Sequence, residues 1–231
     1  MNNNQNIWNS LHTEDRHRTK YPSEEAIRFI MGKFQRDGRE RFLDMGCGAG
    51  RHVMLAAVEN IIPYGVDFSH EGVVYTRSML SKNGFGRFAD NVVECGVDKL
   101  PFENEFFDGI MCFGVLYYLN VTGINNSIKE MYRVMKKGGH GMVLIRNTED
   151  YRCIDAVKRR EPEVEERTYY VQGEGSEKSA CKENGMIMHF FTLSEVKRFF
   201  SDFSDLEINT VSIGHNNDEY KDCDFLVTFT K

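Results

Sequence analysis

The stretch FLDMGCGAGRH, residues 42–52, places glycines at 46, 48 and 50 directly behind a short apolar run. Glycine at that density lets backbone lie against a ligand where a Cβ would collide. Two acids accompany it. Asp44 stands two positions before the first glycine, and Asp67 closes the next apolar run, IIPYGVDF. A carboxylate in either place can accept from hydroxyls or hold an ammonium group. Three ligands would use such a loop: a nucleoside triphosphate, a dinucleotide, or the amino-acid end of S-adenosylmethionine (SAM). Further along, Phe113, Gly114, Tyr117 and Tyr118 follow another apolar run, and His189 ends a long polar segment in MIMHFFT. Histidine titrates near neutral pH, which makes His189 the candidate for moving a proton. No HExxH or CxxC spacing occurs, so no metal site is expected, and EPEVEE reads as solvated charge.

These residues are positioned by alternating elements. SEEAIRFIMGKF carries Ile27, Ile30, Met31 and Phe34 at helical spacing behind Ser23 as N-cap. RFLDM is a short strand feeding the glycine loop, and RHVMLAAVEN a helix leaving it. Strand IIPYGVDF, helix SHEGVVYTRSMLSKNG and strand NVVEC follow. Then come strand FDGIMCF, a helix over GINNSIKEMYRVMKK with Ile124, Ile128, Met131 and Met135 on one face, and strand HGMVLIR. Gly138 and Gly139 are expected to end that helix. Strands apolar nearly throughout and separated by helices imply a parallel sheet covered on both faces, doubly wound. The tail differs: TLSEVKRFFSDF opens with a Thr192–Glu195 capping box, and LEINTVSIG with DFLVTFT predicts a terminal antiparallel hairpin. The expected fold is therefore α/β, a doubly wound, mostly parallel seven-stranded sheet ending in that hairpin.

One domain spanning 1–231 is expected, with an N-terminal arm over 1–22 and an insertion over 147–190 placed to act as a substrate lid. In the arm, Trp8, His17, Arg18 and Tyr21 form a polar-aromatic set able to close over a ligand. The net charge of −6 disfavours a nucleic-acid backbone as partner and favours a small, uncharged or cationic substrate. Cysteines 47, 95, 112, 153, 181 and 223 are scattered, as expected of reduced thiols in the cytoplasm. MNNNQNIWNS has neither a basic nor an apolar signal region, so no membrane partner is expected, and no oligomeric state is specified.

The loop itself narrows the ligand. A Walker A loop would need Lys-Ser or Lys-Thr after its last glycine, and neither is there. The dinucleotide fingerprint needs a small residue where Arg51 stands. Asp44, the three glycines, Asp67, Leu100-Pro101-Phe102, Phe107-Asp108 and Lys137-Gly138-Gly139, in this order, resemble the small-molecule branch of the class I SAM-dependent methyltransferases over residues 20–146. The resemblance implies SAM as cofactor, S-adenosylhomocysteine as product, and methyl transfer to an O or N atom of a metabolite or sugar. It implies that Gly46, Cys47, Gly48 and Gly50 line the methionine and ribose, that Asp44 holds the α-ammonium, and that Asp67 binds the ribose hydroxyls with Phe68 against the adenine. Gly96 and Val97 would meet the adenine edge, where the family often has Asp and Asp98 stands nearby. Phe113, Gly114, Tyr117 and Tyr118 would lie over the methyl donor, with His189 and Tyr117 as catalytic candidates. A non-catalytic SAM-binding module and an NAD(P)-dependent oxidoreductase remain as alternatives.

Overall fold

The computed structural model describes residues 3–14, 18–172 and 183–231. Five strands run parallel: β1 (Arg41–Met45), β2 (Ile62–Asp67), β3 (Val92–Glu94), β4 (Phe107–Phe113) and β5 (Met135–Arg146). The sheet order is β3-β2-β1-β4-β5-β9-β8, where β8 (Ser204–His215) and β9 (Tyr220–Thr230) form the antiparallel hairpin and β9 pairs with β5. The order reverses between β1 and β4, and this is the point at which doubly wound sheets open a ligand crevice. Phe42, Leu43, Ile110 and Met111 of the central strands are fully buried, as a sheet covered on both faces requires.

The helices are α1 (Asn3–Thr13), α2 (Glu24–Lys33), α3 (Arg51–Val58), α4 (His70–Lys82), α5 (Val121–Val134), α6 (Tyr151–Arg159) and α7 (Leu193–Phe199). Ser23 caps α2 through Ala26 N–H, and Ser69 caps α4 through Gly72 N–H. Ile124, Ile128 and Met131 of α5 are buried, each contributing roughly 1.5–3 kcal/mol by leaving water.

Three local expectations are corrected. The buried face of α2 is Ala26, Phe29 and Ile30, with Ile27 and Met31 exposed, because Phe29 meets Phe34 edge-on at 5.9 Å. Gly138 and Gly139 do not end α5. The helix stops at Val134, and both glycines lie in β5, where Met135 already pairs with Phe107 and the register shifts. Gly138 takes φ +77° and donates to Lys231 O, a bulge in the ladder. The capping box forms by half: Glu195 N–H donates to Thr192 Oγ1, while the Glu195 carboxylate turns to His189, Arg167 and Arg198.

Two segments lie outside this frame. The arm folds as α1 against α4, with Asn4 Nδ2 donating to Tyr118 O at 2.9 Å and Gln5 Nε2 to Phe68 O at 2.8 Å. The insertion over 147–190 carries α6 and a ribbon of β6 (Thr168–Tyr170) with β7 (Ile187–His189). Behind it sits a buried charged network. Arg152 Nε donates to Glu183 at 2.7 Å, its Nη1 reaches Asp150 and Asp222, and Arg146 Nη1 reaches Asp150 and Asp224.

Candidate active site

A cavity of about 340 Å³ opens at the carboxyl ends of β1 to β4. Its walls come from four successive strand ends: Gly46–Ala49, then Asp67-Phe68, then Gly96–Asp98, then Phe113–Val115. This is near the lower end of ordinary ligand sites, roughly 300–1,000 Å³, and suits one nucleoside-sized molecule. Asn4, Trp8 and His12 of α1, with Thr19, close the remaining side.

The loop takes this shape because glycine permits it. Gly46 has φ +78°, and a Cβ there would collide with Val115 Cγ2 across the crevice. Gly50, at φ +79°, serves packing instead: its Cβ would sit 2.5 Å from Thr76 Cγ2, and it does not line the cavity. Gly46 and Cys47 N–H both donate to Val66 O, tying the loop to β2.

The two acids differ. Asp67 lines the cavity, with Oδ2 accepting from Gly48 N–H and Oδ1 from Ser69 N–H, both at 2.8 Å. Burial raises its pKa to about 6 against those two bonds. An ionised carboxylate offers about four acceptor sites, so two remain for hydroxyls. Asp44 lies beneath the loop at 2% exposure, and its Oδ2 has no hydrogen-bond partner among the described residues. Burial raises its pKa to about 7, opposed by Arg51 and reinforced by Asp67. The nearest cationic candidate, His52 Nδ1, is 3.8 Å away, but burial and Arg51 hold His52 down at about 3, so it is neutral. A buried carboxylate oxygen without a donor carries a desolvation cost that a bound ammonium would relieve.

Tyr118 lines the far wall, and its hydroxyl donates to Glu183 at 2.6 Å. Trp8 meets its ring edge-on at 5.4 Å. Tyr117 stands behind the wall under the Arg146 guanidinium at 5.3 Å, and burial raises its phenol to about 12. His12 Nδ1 is 2.9 Å from Ser69 Oγ, and burial, with Arg18, lowers its pKa to about 4.

Of the residues expected in the site, Gly46, Cys47, Gly48, Asp67, Phe68, Gly96, Val97, Phe113, Gly114 and Tyr118 line one cavity. Asp44, Gly50 and Tyr117 stand behind it. His189 is elsewhere: fully buried in β7, 2.8 Å from Thr168 Oγ1 and 3.3 Å from Glu195, and absent from the cavity wall. It braces the ribbon against α7 and is not open to an acceptor. Nor does any described residue of the insertion line the cavity. In the arm, Trp8 reaches the site. Arg18 turns to the Tyr75 ring at 4.2 Å, Tyr21 is 73% exposed, and His17 lies outside the described residues, as does Cys181. Asn4, His12, Thr19, Arg51, His52, Val115 and Leu119 are lining residues that sequence reasoning did not place there. Asp98, the alternative to the missing acid at 96, does line the cavity, and a Cβ on Gly96 would sit 2.6 Å from its Oδ1. Among the described residues no group of three or more metal-binding side chains occurs, and no helix is long and apolar enough to cross a membrane.

Comparison with known proteins agrees with this geometry. Residues 42–139 match a family described as a methyltransferase domain. A ubiquinone/menaquinone biosynthesis C-methyltransferase of Geotalea daltonii is 31% identical over 122 residues, 51% of this chain and 50% of that protein. Its counterpart in Xylella fastidiosa is 32% identical over 122 residues, 51% of this chain and 46% of that protein. The chain thus spans about half the length of these curated relatives. Among solved structures, a SAM-dependent methyltransferase of Methanosarcina mazei superposes with a TM-score of 0.69 at 20% identity, covering 88% of this chain and 96% of that one. TehB from Haemophilus influenzae gives 0.63 at 14% identity, covering 97% and 67%. These structural likenesses concern the fold.

Proposed function

We propose that this chain, a class I SAM-dependent methyltransferase in domain and fold, transfers the methyl group of SAM to an O or N atom of a small-molecule acceptor. SAM is the cofactor of such a domain, and the orphaned Oδ2 of Asp44 is the observation that carries its placement. Asp44 would receive the α-ammonium and Asp67 the ribose hydroxyls. Phe68 would lie against the adenine, with Gly96, Val97 and Asp98 along its edge. Phe113, Gly114 and Tyr118 would flank the reacting methyl.

The bound cofactor supplies a methyl already activated on a sulfonium, which bonds to the acceptor's lone pair as the C–S pair returns to sulfur. The chain's own residues therefore have to orient and to exclude water, more than to activate. The two histidines in the cavity wall, at about 4 and about 3, are neutral at pH 7 and weak as bases. That favours an acceptor bringing its own lone pair, such as a neutral amine or an ionised oxygen. Tyr118, held by Glu183, fixes the wall such an acceptor would pass, and the insertion behind it serves as the support of that wall.

A second reading has specific support: both curated relatives named above, matched over about half their length, are described as C-methyltransferases. One experiment separates them. SAM carrying a ¹³C-methyl group is incubated with the protein and a small-molecule extract, and the labelled methyl is read by NMR. Signals of N–CH₃ or O–CH₃ type support the first reading, and C–CH₃ the second. No enzyme-dependent signal from any extract counts against catalysis and favours a SAM-binding module.

A further inference from the structure

Arg51 opens α3 directly after the glycine loop and lines the cavity. Its guanidinium lies 5.4 Å from the Phe113 ring centre. Among the described residues it takes part in no hydrogen bond and no ion pair. Burial pulls its pKa down, yet arginine remains cationic at any physiological pH. The loop floor holds the opposite case in Asp44, an acid at 2% exposure with an oxygen lacking a donor. The two charges feel one another without closing into a pair. A guanidinium on the cavity wall and, beneath the same loop, a carboxylate oxygen without a donor match a ligand that carries both charges on neighbouring atoms.

We propose that Arg51 binds the α-carboxylate of the cofactor's amino-acid end, opposite Asp44 on the α-ammonium, so that the pair recognises the zwitterion as a unit. This rests on the SAM reading above and assigns a residue that reading leaves unused. Arg51 follows Gly48 and Ala49 in the chain, and all three line the cavity. The fork of a guanidinium suits a carboxylate in two-point contact, and the Phe113 ring lies 5.4 Å from it. The Arg51 pole also explains why a large residue is tolerated at a position where a dinucleotide site needs a small one.

The test is calorimetric titration of wild type, Arg51→Gln and Arg51→Lys with S-adenosylhomocysteine and with its decarboxylated analogue, alongside melting curves. Wild type is expected to prefer S-adenosylhomocysteine by about tenfold or more. Arg51→Gln should bring that affinity down to the level of the analogue while leaving the analogue's own affinity unchanged, with Arg51→Lys between. Equal binding of both ligands by wild type overturns the assignment without any variant having to fold. So does an equal loss of both ligands in Arg51→Gln, or an unchanged preference in it. Wild type that binds neither ligand overturns the SAM reading itself, a different result from the others.

Discussion

The arm and the insertion flank the same turn, Leu116–Tyr118, and contribute in opposite ways. The arm is short and polar, and it places Asn4, Trp8 and His12 in the cavity wall. The insertion is twice as long and, among its described residues, places none there. Among its described residues it reaches the site through the bond from Tyr118 to Glu183, which continues into Arg152, Asp150 and Asp222. Length and position in the chain suggested a lid in the insertion. Among the described residues α1 supplies side chains to the cavity wall while the insertion stands behind Tyr118, and we propose that the first covers the site and the second braces it.

The sharpest way to break this contrast is to open the brace. Arg152→Met leaves Glu183 without its cation and Asp150 with Arg146 alone, and is expected to cost about 3–5 kcal/mol in urea denaturation. Cofactor affinity of the molecules that remain folded should change little. His189→Ala tests the same side more mildly. Loss of its links to Thr168 and Glu195 should cost roughly 1–3 kcal/mol, with kcat unchanged in steady-state assays. A drop in kcat with stability intact would return His189 to the chemistry.

On the covering side, Trp8→Ala should weaken S-adenosylhomocysteine by roughly tenfold, as for a truncated aromatic anchor, while Tm moves little. An unchanged affinity with a large fall in Tm would make α1 a structural element and erase the contrast. The smallest effect is a pH dependence at the loop that both segments serve. Asp44 titrates near 7 in the folded chain against about 3.9 when unfolded. The stability it contributes is present below about pH 4 and is lost as pH rises through about 7. Cofactor affinity should run the other way, since an ammonium prefers the ionised acid. It should rise severalfold between about pH 6 and 8 in calorimetric titrations, and Asp44→Asn should abolish that slope.

The sheet was legible because its signals are local. FDGIMCF is β4 from end to end, and the glycine loop with Asp67 turned up on one crevice because both close parallel strands. Where pairing is remote, sequence was silent. Nothing near Gly138 announces that Met135 pairs with Phe107, so the helix was expected to run on. Glu195 sits correctly for a capping box, but Arg167 and His189 compete for its carboxylate through tertiary packing. The arm was hardest: asparagines are poor helix formers, and α1 is held by bonds to Tyr118 O and Phe68 O far along the chain. Arg51 and His52 stand directly behind the last glycine, and only the fold shows that they line the cavity.

The most direct test of the central claim is titration of wild type and Asp67→Ala with S-adenosylhomocysteine, and of wild type with NAD. Micromolar binding of S-adenosylhomocysteine, none of NAD, and loss of the first in Asp67→Ala are expected. Binding of NAD alone, or undiminished binding of S-adenosylhomocysteine by Asp67→Ala, would contradict it.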